Sequence, residues 1–199
     1  AVSQRLSAFL GAPLIVAGFS RLVIDLNRPN DHKESIVAQI DATPIPANQN
    51  LDETARRQRV TELFEPYHHA VDRAVARLWS RGTPPVIFSV HSFSPSFGDM
   101  PRPWDIGVLW NRDPRIAAPL IDMLAARGLN VGDNEPYSGQ QLAHTIDLHG
   151  GTAGLANCVI EINQDQVRDA AGIDRWATIL EEIIPKILKV QGLHRVKRF

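Results

Sequence analysis

The chain has 199 residues, 44% apolar and 22% charged, enough to bury a hydrophobic core in one domain without cross-links. Its 21 basic and 22 acidic residues leave a formal net charge of −1, which excludes nonspecific gathering of nucleic acid or an anionic membrane and leaves a small molecule or a protein as partner. The one cysteine, Cys158, lies in the apolar run Ala156 to Ile160 and reads as a small buried hydrophobe, which favours a reducing compartment.

Val2, Leu6, Phe9 and Leu10 form the apolar stripe of an amphipathic helix closed by Gly11. No capping residue precedes it, so the natural protein is expected to extend upstream. This opening has no signal-peptide order, and no run approaches the roughly 20 apolar residues that cross a bilayer. The expectation is a soluble, cytoplasmic protein of unknown oligomeric state. Pro13 to Val16 and Arg21 to Leu26 read as sheet strands, the second rich in β-branched residues. Residues 29 to 50, with many Pro, Asn and Asp, read as a long surface loop. From Asp52, an N-cap, the apolar positions Val60, Leu63, Phe64, Tyr67, Val71, Val75 and Leu78 predict a helix as far as Gly82, kinked at Pro66.

Pro85 to Val90 is a continuous apolar strand that delivers His91 at its end, and Ile106 to Trp110 is another. Asp113 caps a helix with Pro114 in its first turn and Gly128 beyond its end. Leu129 to Val131 is a short strand, residues 134 to 139 a polar loop, and a second loop holds Gly150 and Gly151. Asn157 to Asn163 reads as a buried strand with one acid at its centre. Asp174 is expected to start the last helix, followed by a basic tail. Alternating strands and helices imply a single α/β domain over residues 1–199, a three-layer sandwich with a mixed, largely parallel sheet.

Glu161 is the most informative residue, because a carboxylate amid Val159, Ile160 and Ile162 is costly to bury unless it is paired or near a metal. An internal salt bridge and a general acid–base role both satisfy that need. His91 occupies the strand end where α/β enzymes present a metal ligand or catalytic imidazole, and a hydrogen-bonded sheet-edge histidine has the same signature. Asn27 and Arg28 suit capture of a carboxylate, or Arg28 bridges Asp25 or Asp31 on the surface. Arg21, at the far end of the same expected strand, is a weaker candidate. Tyr137 and His149 belong to expected loops ahead of the Glu161 strand. His32, His68 and His69 have no metal-ligand spacing, and the last two are expected on a helix surface. Serine, P-loop and Cys-x-x-Cys chemistries find no motif.

Together these segments resemble the N-formylglutamate amidohydrolase family, itself similar in fold to zinc carboxypeptidases and aspartoacylases. Residues 20 to 29, SRLVIDLNRP, resemble its arginine-rich motif; Val90-His91-Ser92-Phe93 its Asp-x-His-Ser metal strand; residues 134 to 139, NEPYSG, its Asn-x-Pro-Tyr-x-Gly loop; and residues 159 to 165, VIEINQD, its catalytic Glu strand. The resemblance implies a zinc-dependent amidohydrolase that cleaves an N-formyl or other N-acyl group from an acidic amino acid such as N-formylglutamate. It implies His91 as a zinc ligand, Glu161 as the base that activates water and protonates the leaving amine, and Asn27 with Arg28 as the carboxylate clamp. Tyr137 becomes a substrate-side hydrogen-bond donor and His149 a loop residue near the site with no assigned role, while Arg21 stays the weaker substrate-binding candidate. Zinc lowers the pKa of bound water to about 7, so no nucleophilic side chain is required.

The sequence departs from the family pattern at two points. The first metal motif of the family has no counterpart here, since residues 1 to 20 contain no histidine, and the first strand and remaining ligands are expected upstream of Ala1. Ser89 stands where the pattern has an acid two residues before the histidine. The alternatives are a zinc peptidase or deacylase for another acyl group and a non-catalytic carboxylate-binding domain.

Overall fold

The computed structural model describes residues 1–40 and 42–199. In chain order the elements are α1 (Val2–Leu10), β1 (Gln39–Ile40), β2 (Thr43–Pro44), α2 (Glu53–Arg59), α3 (Glu65–Trp79), β3 (Ile87–Phe93), β4 (Ser96–Phe97), β5 (Met100–Pro101) and β6 (Ile106–Leu109). There follow α4 (Pro114–Ala125), β7 (Val131–Asp133), α5 (Gly139–Leu142), α6 (His144–His149), β8 (Asn157–Asn163) and α7 (Ala170–Ile187). The chain divides into two compact units, one of residues 1–14 with 78–199 and one of residues 15–77.

The larger unit is built on a four-stranded sheet of order β3-β8-β6-β7. β3 pairs with β8 and β6 with β7 in parallel, while β6 and β8 are antiparallel, so the sheet is mixed and mostly parallel. Alternate side chains serve opposite faces. Phe88, Val90, Ile106, Val108, Val131, Cys158, Ile160 and Ile162 meet Val2 and Leu6 of α1, Ile116, Leu120 and Leu124 of α4, and Trp176, Leu180, Ile183 and Ile187 of α7. The fully buried side chains among them each contribute about 1.5–3 kcal/mol over exposure, which makes this face the principal core. On the opposite face Ile87, Leu109 and Val159 pack against Ala143, Ile146 and Tyr137. Cover on both faces explains why β8 is buried along its whole length.

Local chemistry places the helix ends. Asp113 caps α4 by accepting from the Arg115 amide at 3.0 Å, with Pro114 in the first turn, as expected. Gly11 ends α1 in a left-handed conformation, φ 60°. α7 begins at Ala170 rather than near Asp174, because Asp169 already caps it by accepting from the Gly172 amide at 2.8 Å. Asp174, inside the helix, pairs with Arg5 of α1. β3 runs three residues past the expected end, through Phe93, because β8 pairs with it over its full length. β7 begins two residues later than expected, and residues 144 to 149 form α6 where a loop is expected.

Residues 13–16, where the chain passes from the larger unit to the smaller, and residues 21–26 of the smaller unit are not strands. Ser20 to Val23 is a turn closed by a bond from the Val23 amide to the Ser20 carbonyl, 2.9 Å, and the Asp25 amide reaches the Ser35 carbonyl at 2.8 Å. Ile24 and Leu26 are buried against Ile36 and Phe64, and among the described residues no ladder runs beside them. Strand preference records packing on a pleated surface, and here the same side chains bury against a helix. Two side chains tie the following irregular segment together. Asn48 donates to the carbonyls of Leu22 and Val37 at 2.8 and 2.7 Å, and Arg59 donates to those of Val23 and Ala47 at 2.7 and 2.8 Å. The kink expected at Pro66 is a π-turn, Val60–Phe64, between α2 and α3, which widens the helix just where proline cannot donate to the preceding turn. His68 is not on the surface: it is 6% exposed, its Nε2 lies 3.1 Å from the Leu26 carbonyl, and its ring stacks on Phe64 at 4.2 Å. No helix among the described residues is long and apolar enough to cross a membrane.

Candidate functional site

The pairing of β3 with β8 sets His91 in register with Glu161, and the antiparallel pairing of β6 sets Gly107 on the other side of Glu161. Neighbouring strands lie about 4.8 Å apart, so the imidazole and the carboxylate leave the sheet side by side on one face. Glu161 is 8% exposed while His91 faces solvent. Ser89, two residues before His91 and so on the same face, places its Oγ 3.0 Å from Nε2 of the imidazole. The hydroxyl thus occupies the orienting position beside the ring.

The other strands on this face are stripped of side chains where they adjoin Glu161. Gly107 is in register with Gly132 of β7. A Cβ at Gly132 would stand 2.5 Å from the Glu135 carbonyl oxygen, and one at Gly107 would be closer still. The main chain of Glu135 therefore rests on the sheet next to Glu161. Asn134 accepts from the Trp110 amide at 3.0 Å and the Gly139 amide at 2.9 Å through one side-chain oxygen, which ties both ends of the loop to β6. The Glu135–Pro136 bond is cis. This loop carries Tyr137, half-buried against Leu109, Ala143, Ile146 and Val159. The Tyr137 hydroxyl accepts from Nη1 of Arg102 at 2.9 Å.

His149 lies in the last turn of α6, one turn beyond the buried Ile146, and is 6% exposed. The expectation of a loop residue is corrected: His149 is a buried helical side chain on the layer that covers the Glu161 face. A separate cavity of about 240 Å³ opens at the Asn157 end of β8, between Asn111, Asp147, Asn157 and Lys197. Asp147, which accepts from Asn111 at 3.1 Å, has its carboxyl pushed above the ordinary aspartate range by burial. Cys158 is fully buried, and burial pushes its thiol far up, which leaves it inert as a nucleophile.

Arg21, Asn27 and Arg28 belong to the smaller unit. Arg21 pairs with Asp25 at 2.7 Å across one turn, and Asp25 accepts from the Asn27 amide at 2.8 Å. Arg28 donates through Nη1 to the Asn27 carbonyl at 3.2 Å, and its Nε stands 3.7 Å from Glu34, beyond hydrogen-bond reach. Among the described residues that buried Nε has no hydrogen-bond acceptor. A buried guanidinium donor without an acceptor is costly, and an arriving carboxylate supplies one.

Sequence reasoning missed Arg102 and the two glycines. The signal for Gly107 was present, since a glycine inside an apolar strand marks close backbone approach. Arg102 stands in a proline-rich loop with no periodicity to single it out. Among the described residues no three His, Cys, Asp or Glu side chains stand close enough to hold a metal ion.

The chain matches the family described as N-formylglutamate amidohydrolase over residues 2–168. It is similar to the crystal structure of a gene product of Agrobacterium tumefaciens, with 32% identity and a TM-score of 0.87 over 94% of this chain and 75% of that one. It also resembles an N-formylglutamate amidohydrolase from Ralstonia eutropha in fold, with 19% identity and a TM-score of 0.67 over 85% of this chain and 73% of that one. No curated protein matches the chain.

Proposed function

We propose that this chain, which belongs to the N-formylglutamate amidohydrolase family and is thereby a hydrolase of carbon–nitrogen bonds, removes the formyl group of N-formylglutamate. The single observation that carries this reading is the register of His91 and Glu161 on adjacent strands. A buried carboxylate beside an exposed imidazole, roofed by a loop with a tyrosine hydroxyl, is the equipment of a water-activating site.

In this reading Glu161 takes a proton from water as the water oxygen bonds to the formyl carbon. It returns that proton to the departing nitrogen as the carbon–nitrogen bond breaks, so that formate and glutamate leave. Such proton transfer is worth about 10²–10⁴ in rate. Tyr137 accepts from Arg102 and so keeps its own hydroxyl proton for an oxygen of the substrate. Arg28, with an unmet donor, and Asn27 serve the substrate carboxylate, while Arg21 holds Asp25 and through it the turn that presents them. His149 has the supporting role of a buried neighbour on α6.

Zinc is proposed as the cofactor, with His91 as one donor. Among the described residues no three His, Cys, Asp or Glu side chains stand together, so those present do not fit the usual centre of three protein ligands. When bound, zinc would acidify a water molecule and polarise the formyl oxygen. Glu161→Gln is expected to lower kcat by about 10²–10⁴ with the fold retained, in an assay of formate release from N-formylglutamate alongside N-acetylglutamate. Metal analysis of wild type and His91→Ala accompanies it. Undiminished turnover in Glu161→Gln would end this reading.

A further inference from the structure

Arg102 follows the β4–β5 hairpin, and its guanidinium carbon lies 4.8 Å from the centre of the Tyr137 ring and 5.4 Å from that of Phe97. Nη1 donates to the Tyr137 hydroxyl at 2.9 Å and, at 3.4 Å, to the Ser94 carbonyl. Arg28, Arg115 and Arg127 each stand beside an acid. Among the described residues no carboxylate lies within ion-pair distance of Arg102, although its side chain is half-buried. A guanidinium set against aromatic rings is held in orientation and shielded on its faces, while its remaining edge donors match a planar carboxylate.

Its position is at the Glu161 end of the sheet. Asn163, two residues beyond Glu161, donates from its side chain to the Trp104 carbonyl at 3.0 Å and from its amide to the Asp105 carbonyl at 3.0 Å. Those bonds anchor the segment that leads from Arg102 into β6. From the other side, Tyr137 follows Glu135, whose carbonyl rests on Gly107, the register partner of Glu161. Among the described residues Arg102 is thus a cation without a counter-ion, aimed by two rings and tied on one side to β8, which carries the carboxylate, and on the other to the loop that rests on β6.

We propose that Arg102 determines specificity by receiving the second, side-chain carboxylate of a dicarboxylate substrate. The proposal rests on the N-formylglutamate reading, in which the substrate carries two carboxylates and the side-chain one needs a cation to neutralise it. Bidentate pairing with the edge of Arg102 supplies that partner, and lysine lacks both the planar fork and the ring stacking to replace it.

The test compares kcat/KM for N-formylglutamate and N-formylnorvaline, which has the same carbon chain without the second carboxylate. Wild type, Arg102→Gln and Arg102→Lys are measured, together with calorimetric binding of glutarate and butyrate. Arg102→Gln is expected to cut the preference for the dicarboxylate by about ten- to a hundredfold, chiefly through KM, and to erase the advantage of glutarate over butyrate, with Arg102→Lys between. Proportional loss on both substrates, or an unchanged preference, overturns the proposal, because the residue would then support the hairpin or nothing. If wild type releases formate from neither substrate, the N-formylglutamate reading fails. The glutarate comparison then still decides on Arg102: an advantage lost in Arg102→Gln supports it, and its persistence or absence refutes it.

Discussion

Glu161 interrupts an apolar strand, and that interruption is why it was legible from sequence: a carboxylate is costly to bury among apolar neighbours unless something pairs with it. Its partner in register was not legible, because a strand does not state which strand lies beside it. The same limit hid Gly107, whose missing side chain makes room for Glu135 from a distant loop. Gly107→Ala is expected to cost about 1–3 kcal/mol in urea denaturation, since the new methyl must displace a main-chain carbonyl rather than a flexible side chain. The same variant should lower kcat/KM by displacing the loop that presents Tyr137, and full stability with full activity would show that the cradle is slack. His68 was misread because a histidine near the polar side of a helix carries no mark of the loop that covers it.

Helix ends were the most legible elements, being set by residues within one turn of each other. Asp113 also shows how a local signal acquires a long-range duty. Its carboxylate pairs at 2.5 Å with Arg115, side-chain exposures 10% and 9%, and Arg115 donates to the carbonyls of Gly154, Gly192 and Leu193 at 3.1, 3.2 and 3.2 Å and to that of Arg195 at 2.5 Å. One guanidinium thereby fastens the segment after α7 to the start of α4. Arg115→Met removes the cation and leaves Asp113 buried without its partner, which is expected to cost about 3–5 kcal/mol. The measurement is a lower urea midpoint with an unchanged m-value, accompanied by faster amide exchange over residues 190–199; an unmoved midpoint would show that the tail is held by its apolar contacts. The unpaired run Arg21 to Leu26 is the contrary case. Its composition favours a strand, but a strand exists only by pairing, and none of the described residues comes alongside as a strand.

At the scale of the molecule, the raised carboxyl of Asp147 links stability to pH. Burial is the largest cause, opposed by the hydrogen bond from Asn111 and the charges of His144 and Arg112. Because the folded state holds this proton more tightly than the unfolded one, stability falls as pH rises from the ordinary aspartate value of about 3.9 through the raised value, and stays lower above it. Asp147→Asn should therefore be more stable than wild type at neutral pH, with the difference closing below about pH 4, in denaturation curves recorded across that range. A constant offset at every pH would place the effect in packing instead.

The amino-acid sequence by itself determined the α/β class, most helices and their caps, the buried strand with its acid, and the family, since these follow from periodicity and from motifs read in order along the chain. The tertiary structure alone decided that His91 stands beside Glu161, that Glu135 rests on two glycines, and that Arg102 reaches Tyr137 rather than an acid. Apart from Gly132, which is three residues from Glu135, those neighbours are 28 to 70 residues apart in the chain, and sequence patterns record the environment of a residue one turn or one pleat away, not the identity of what folding brings against it.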